Sequence, residues 1–110
     1  MVVMIEPHEK EWDQMNDKVR RKVFYAGNLM FVIYDMEPGA EVPLHSHPEE
    51  QAGFIVQGEV EVYTDKDRRV LKAGSWYYFA PNEPHGGKVV GPQRALVVDV
   101  FTPPRKDFMK

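Results

Sequence analysis

Two histidines, His45 and His47, sit one residue apart in the stretch Gly39-Ala-Glu-Val-Pro-Leu-His-Ser-His-Pro-Glu-Glu-Gln-Ala-Gly. On an extended backbone, side chains two apart point the same way, so the two imidazoles are expected on one side. With Gln51 shortly after them and His85 in Pro84-His85-Gly86, they form a mixed nitrogen and oxygen donor set. Imidazoles suit zinc, copper, iron and nickel, and a side-chain amide oxygen can complete the set while leaving room for water or substrate. Glu49 and Glu50 precede Gln51. Glu50 would face away from Gln51 on a strand and Glu49 falls at the turn made by Pro48, so Gln51 is the expected oxygen ligand. A lone histidine is more often a hydrogen-bonded core or surface residue, and His8, in the N-terminal segment, is read as surface.

A neutral oxygen ligand has a chemical consequence. Three imidazoles and an amide leave the charge of a divalent ion uncompensated, so the site should favour anions. A carboxylate or oxyanion would gain Coulomb energy there, and the ion would act as a Lewis acid on an enolate or alkoxide. That suits a redox-neutral reaction on an acid.

A second constellation ends the chain: Leu96-Val-Val-Asp99-Val-Phe101-Thr-Pro-Pro-Arg105-Lys-Asp107-Phe108. Asp99 is the only charged residue between Ala95 and Phe101, and burying a carboxylate without a partner is costly. Val97, Asp99 and Phe101 share a strand face. If that face is interior, Asp99 is placed to act as acid or base; if it is exposed, Asp99 pairs with a surface lysine or arginine. Arg105 follows Pro103-Pro104 and is either a clamp for a carboxylate or a solvated tail residue.

These residues need strands to hold them. Period-two alternation dominates from about residue 28, most clearly in Glu59-Val-Glu-Val-Tyr63, with valines on one side and glutamates on the other. Further strands are predicted at 29–36, 54–56, 70–71, 76–79, 88–90 and 95–101, separated by turns at 37–39, 65–67, 73–74, 81–84 and 90–92. Many short strands at regular spacing predict an all-β sandwich or barrel. Only Glu9 to Asp17 could be helical, on Trp12 and Met15 three apart.

The first motif resembles that of the cupin family: a glycine, five residues, His-x-His, an acidic position and a later glycine, met here by Gly39, His45, His47 and Gly58, with Gln51 at the acidic position. Gly74, Pro81 and His85 match the second cupin motif, with Ala80, Asn82 and Val89 departing from it. Asn tolerates the left-handed conformation, so the turn at Asn82 is expected to form. The likeness covers about residues 25 to 103. It is similar in particular to the small KdgF-type cupins, through His45-Ser-His47-Pro-x-Glu-Gln51, Pro81-Asn82-x-x-His85-Gly86, the ending Asp99 to Phe108, and Trp12, Arg21-Lys-Val23 and Asn28-Leu-Met30. Those proteins linearise unsaturated uronates released by pectin and alginate lyases. The resemblance implies a single-domain jelly-roll β-barrel over 1–110 with an N-terminal extension over 1–24. It implies one divalent transition metal (nickel, zinc, manganese, iron or copper) held by His45, His47, Gln51 and His85. Asp99, Phe101 and Arg105 would then face a small anionic substrate, a sugar acid. The competing readings are an oxygen-using cupin acting on a diketone or aromatic, and a non-catalytic cupin that binds a small acid.

Composition narrows the field. At 110 residues the chain is expected to form one domain. A formal net charge of -3 offers no footprint for nucleic acid, and the basic run Lys18-Val-Arg20-Arg21-Lys22 is read as the solvated face of an early strand. Zero cysteines exclude thiolate chemistry and disulfides. Without an apolar leader or a long apolar run, a soluble cytoplasmic protein is expected. Exposed sheet edges and apolar faces favour a homodimer, with Trp76, Tyr77 and Tyr78 alternating between interior and interface.

Overall fold

A computed structural model describes residues 1–109. It consists of ten strands, β1 (Asp13–Gln14), β2 (Val19–Ala26), β3 (Leu29–Met36), β4 (Glu41–His45), β5 (Glu50–Gln57), β6 (Glu59–Thr64), β7 (Arg68–Lys72), β8 (Trp76–Phe79), β9 (His85–Val90) and β10 (Ala95–Thr102), with 3-10 turns at Pro7–Glu9 and Lys106–Phe108. All pairings are antiparallel. Six strands form one sheet in the order β1-β2-β3-β10-β5-β8 and four form the other, β4-β9-β6-β7. The two sheets close on each other as a jelly-roll sandwich.

Alternation decides what lies between the sheets. Along β10, Ala95, Val97, Asp99 and Phe101 are buried while Leu96, Val98, Val100 and Thr102 are partly exposed. Val60 and Val62 of β6 turn inward, and Glu59 and Glu61 pair outward with Lys72 and Arg68. Met30, Val32, Ile55, Val89 and Phe101 are essentially sealed from solvent, each stabilising the fold by about 1.5–3 kcal/mol. Five glycines and Asn82 (φ 65°) adopt positive φ at turns, so the second-motif turn forms with Asn in the left-handed position.

The N-terminal segment departs from expectation. The helical option over Glu9 to Asp17 gives way to the 3-10 turn and the short strand β1, because Trp12 is used in packing: Arg20 lies 4.3 Å and Lys22 4.7 Å from its ring centroid. The basic run does lie on an early strand, β2, yet it is not a solvated face. Arg21 and Lys22 are 8% and 7% exposed; Arg21 turns inward, and Lys22 Nζ donates to the Pro7 carbonyl at 2.6 Å. The six-stranded sheet thus takes in residues ahead of the motif span of 25 to 103. Among the described residues no helix is long and apolar enough to cross a membrane.

Candidate metal centre and active site

The three motif histidines converge at one end of the sandwich. His45 and His85 are cross-strand partners on β4 and β9, with ring centroids 4.5 Å apart. His47 stands just beyond the end of β4 in the β4–β5 loop, with its ring 5.7 Å from His45 and 4.9 Å from His85. One ligand atom from each of the three lies within 4.8 Å of the others.

Each ring is oriented by the same local device. Nδ1 of His45 faces the Pro43 carbonyl at 2.9 Å, Nδ1 of His47 the Glu49 carbonyl at 3.0 Å, and Nδ1 of His85 the Glu83 carbonyl at 2.8 Å. A carbonyl can only accept, so Nδ1 carries the proton and Nε2 keeps its lone pair. For His85 that Nε2 is buried and without a hydrogen-bond partner. For His47 it meets Gln51 Oε1 at 2.9 Å, so two lone pairs face one another, an arrangement that suits two ligands addressing one cation. Burial, assisted by the Arg105 charge and the neighbouring histidines, lowers the pKa of His47 and takes His85 down to about 4. The rings of His47 and His85 therefore stay neutral and able to ligate. Three Nε2 lone pairs and one amide oxygen fit a divalent transition ion, with each ring held from behind.

Of the candidate oxygen ligands, Gln51 is the one that faces the histidines. It is 6% exposed, on β5, with Phe101 and Phe79 as its cross-strand neighbours. Glu50 points outward, and the Glu49 carboxylate lies behind the His47 ring, 3.4 Å from Nδ1. His8 is exposed and outside the group.

Asp99 sits on the interior face. It is 6% exposed, accepts a hydrogen bond from the Tyr77 hydroxyl and lies diagonal to Gln51 on the same face, since Gly53 and Gln51 are the cross-strand partners of Asp99 and Phe101. Burial pushes its pKa up to about 6, while the hydrogen bonds from Tyr77 and Gln51 and the charge of Arg105 hold it from rising further. Tyr77 itself is raised well above the usual tyrosine value by burial and by Asp99, so it remains a donor. Gly53 makes this pair possible. It lies directly across from both Asp99 and Tyr77, and a Cβ there would overlap the Tyr77 ring.

Arg105 follows β10 and reaches back over Phe101, 5.2 Å from its centroid. Its Nε and Nη2 engage Asp107 at 3.4 and 3.0 Å, and Nη1 has no hydrogen-bond partner among the described residues. Phe108 lies 4.0 Å from the Arg105 guanidinium and 3.9 Å from that of Arg21. His45, Gln51, His85, Asp99, Phe101 and Arg105 all line one cavity of about 90 Å³, whose lining also includes Met36, Val60, Val62, Val89 and Val97. The sequence did not single out Tyr77 as the partner of Asp99, or Arg21 and Tyr34 behind it. The one available signal was the inward turn of a single tyrosine within Trp76-Tyr77-Tyr78.

The comparisons with known proteins agree with this geometry. The pattern of the cupin domain family matches residues 32–101. The chain is 31% identical over 103 residues to the pectin degradation protein KdgF of Dickeya dadantii (strain 3937), covering 92% of this chain and 93% of that one. It is 30% identical over 91 residues to the H2HPP isomerase of Bacillus subtilis, covering 82% of this chain and 37% of that protein. Among solved structures, KdgF from Halomonas sp. superposes with a TM-score of 0.91 at 29% identity, over 99% of this chain and 100% of that chain. With the fold, the histidine cluster and the full-length likeness in agreement, the chain belongs to the cupin family and, within it, to the KdgF-type cupins.

Proposed function

We propose that this protein is a metal-dependent enzyme that opens 4,5-unsaturated uronates by a redox-neutral isomerisation. The observation that carries the reading is the placement of Asp99. A buried carboxylate with its pKa raised to about 6 lines the same cavity as His45, Gln51, His85 and Arg105. The Dickeya relative acts in pectin degradation by name and the Bacillus relative is an isomerase by name; both support redox-neutral chemistry on a small acid.

A 4,5-unsaturated uronate is an enol ether closed through a hemiacetal. Asp99 takes the proton of the anomeric hydroxyl, that oxygen forms the aldehyde carbonyl, and the bond from the anomeric carbon to the ring oxygen breaks. The electron pair stays on the former ring oxygen as an enolate. The proton returns to the alkene carbon remote from the carboxylate, leaving a 2-keto acid, so atoms and electrons balance without an oxidant. A divalent ion at His45, His47, Gln51 and His85 would supply Lewis acidity to the carboxylate and developing enolate. Arg105 presents its Nη1 edge to the carboxylate, and Phe101 offers its ring to the sugar face. A carboxyl with a value near 6 is part-ionised near neutrality and can both accept and return the proton.

The test is anaerobic incubation of metal-loaded protein with an unsaturated uronate, followed by proton NMR. Loss of the alkene proton with appearance of a methylene group supports the reading. A reaction that runs only with dioxygen would instead establish the oxygen-using alternative, and tight binding without turnover the non-catalytic one.

We further propose that two copies pair through the outer face of the six-stranded sheet. Phe24, Phe31, Val100, Ala52 and Tyr78 follow one another across five strands, with Ile33, Val98, Phe54 and Trp76 in the adjacent row. Trp76 is 71% exposed and Phe54 45%, an apolar surface of the kind that a second copy covers.

A further inference from the structure

We infer that Tyr63 is a positioning residue for the metal centre: its hydroxyl holds a bulge in β4 that turns His45, rather than Leu44, toward His85. The inference rests on the metal site proposed above. Strict alternation along β4 would put Val42 and Leu44 on one face and His45 on the other. The structure does otherwise. Val42 and His45, three residues apart, both line the cavity, while Leu44 is 50% exposed.

The ladder between β4 and β9 shows how. Val42 is opposite Gly87 and His45 is opposite His85, with a register shift between them. Three steps along β4 therefore match two along β9, so Pro43 and Leu44 together face Gly86. One extra residue in a strand reverses the phase of the side chains that follow it. Here it sets His45 directly across from His85 and on the same face of the sheet. In unbroken register Leu44 would take that place, and the cluster would lose a ring.

A bulge interrupts the ladder, and the main-chain groups it releases need other partners. Two carbonyls at this one are met by side chains. His45 Nδ1 donates to the Pro43 carbonyl at 2.9 Å. The Tyr63 hydroxyl comes from β6, on the far side of β9. It lies 3.0 Å from the Val42 carbonyl and 3.1 Å from Glu41 Oε2, so its one proton is shared by two acceptors that both precede the bulge. The ring reaches β4 by crossing Gly86, its cross-strand partner. A Cβ on Gly86 would stand 2.6 Å from the Tyr63 ring and 2.6 Å from the Val42 carbonyl oxygen. Arg68 lies over the ring, 4.8 Å from its centroid, and Tyr63 is 8% exposed, which limits competition from water for the hydroxyl.

The test joins two measurements on the substrate-free protein. One is Zn²⁺ affinity, by competition with a chromophoric chelator. The other is the proton NMR spectrum of the Co²⁺-loaded protein, in which the exchangeable Nδ1–H of each ligating imidazole is shifted far outside the diamagnetic range. Tyr63→Phe keeps the ring and removes the hydroxyl. It should weaken Zn²⁺ about three- to tenfold and displace one of the three Nδ1–H signals, the one that His45→Ala abolishes, much further than the other two. In a His45→Ala background the same substitution should change the Zn²⁺ Kd by less than about twofold. Should His45→Ala take up too little metal to measure, the split between one displaced signal and two retained ones decides alone. A Tyr63→Phe variant that melts earlier but keeps wild-type affinity, a uniform displacement of all three signals, or an equal loss with and without His45 would overturn the inference and leave the metal site standing. No uptake of Zn²⁺ or Co²⁺ by the wild type would remove both. Coupling as expected, in a protein that turns over no uronate, would retain the inference and reject the proposed reaction.

Discussion

The backbone N–H of Asn82 donates to the carbonyl of His47 at 2.8 Å, so the turn of the second motif braces the loop that carries a ligand of the first. Asn82 does this in the left-handed region, at φ 65°. A β-branched residue is strained there by about 1–2 kcal/mol. Asn82→Val should lower thermal stability by about that amount and loosen metal retention on dialysis, whereas Asn82→Gly should do neither. Equal behaviour of the two variants would remove the brace from the explanation of the site.

Arg105 is fixed from two directions, in its own plane by Asp107 and across its face by Phe108. Losing the ring should release the guanidinium without touching the proton-transfer groups. Phe108→Ala is expected to raise the KM for an unsaturated uronate about three- to tenfold, with a much smaller change in kcat, and Phe108→Tyr should restore it. A fall in kcat at constant KM would mean that Phe108 serves something other than substrate positioning.

Far from the cavity, Asp35 accepts from Arg20 Nε at 2.8 Å and from Arg94 Nε and Nη2 at 3.0 and 3.1 Å. Burial works to raise its pKa, but the hydrogen bonds and charges of Arg94 and Arg20 outweigh it and hold the carboxyl below its ordinary 3.8. A folded-state value below the unfolded one gives stability that is present above the unfolded pKa and lost as pH falls through the folded value. Asp35→Asn should therefore cost about 1 kcal/mol near neutrality. The difference from wild type should vanish in acid, below the folded-state value. Urea unfolding at a series of pH values measures it; a pH-independent difference would assign the loss to packing.

The sequence carries the ligand positions because they lie in short local segments whose turns are set by Gly39, Pro48, Pro81 and Asn82. Period-two alternation likewise places Val97, Asp99 and Phe101 together. The same-side argument for His45 and His47 assumed a strand through both. The strand stops at His45, and His47 is brought back by the loop and its contact with Asn82. What local pattern cannot carry is register across strands. Tyr77 meets Asp99 because both are opposite Gly53 on β5, a pairing between segments 22 residues apart. The burial of Arg21 and Lys22 escapes for the same reason, since it depends on Phe108 at one end of the chain and on Pro7 and Trp12 at the other.

The most direct test of uronate opening by Asp99 is single-turnover loss of the conjugated-carboxylate absorbance, with wild type and Asp99→Asn at matched metal content. Wild type should consume the unsaturated uronate. Asp99→Asn should be slower by about two to four orders of magnitude, the usual contribution of a positioned acid or base, at similar substrate affinity because Arg105 is untouched. Equal rates would take Asp99 out of the mechanism, and no turnover by metal-loaded wild type would contradict the proposed function itself.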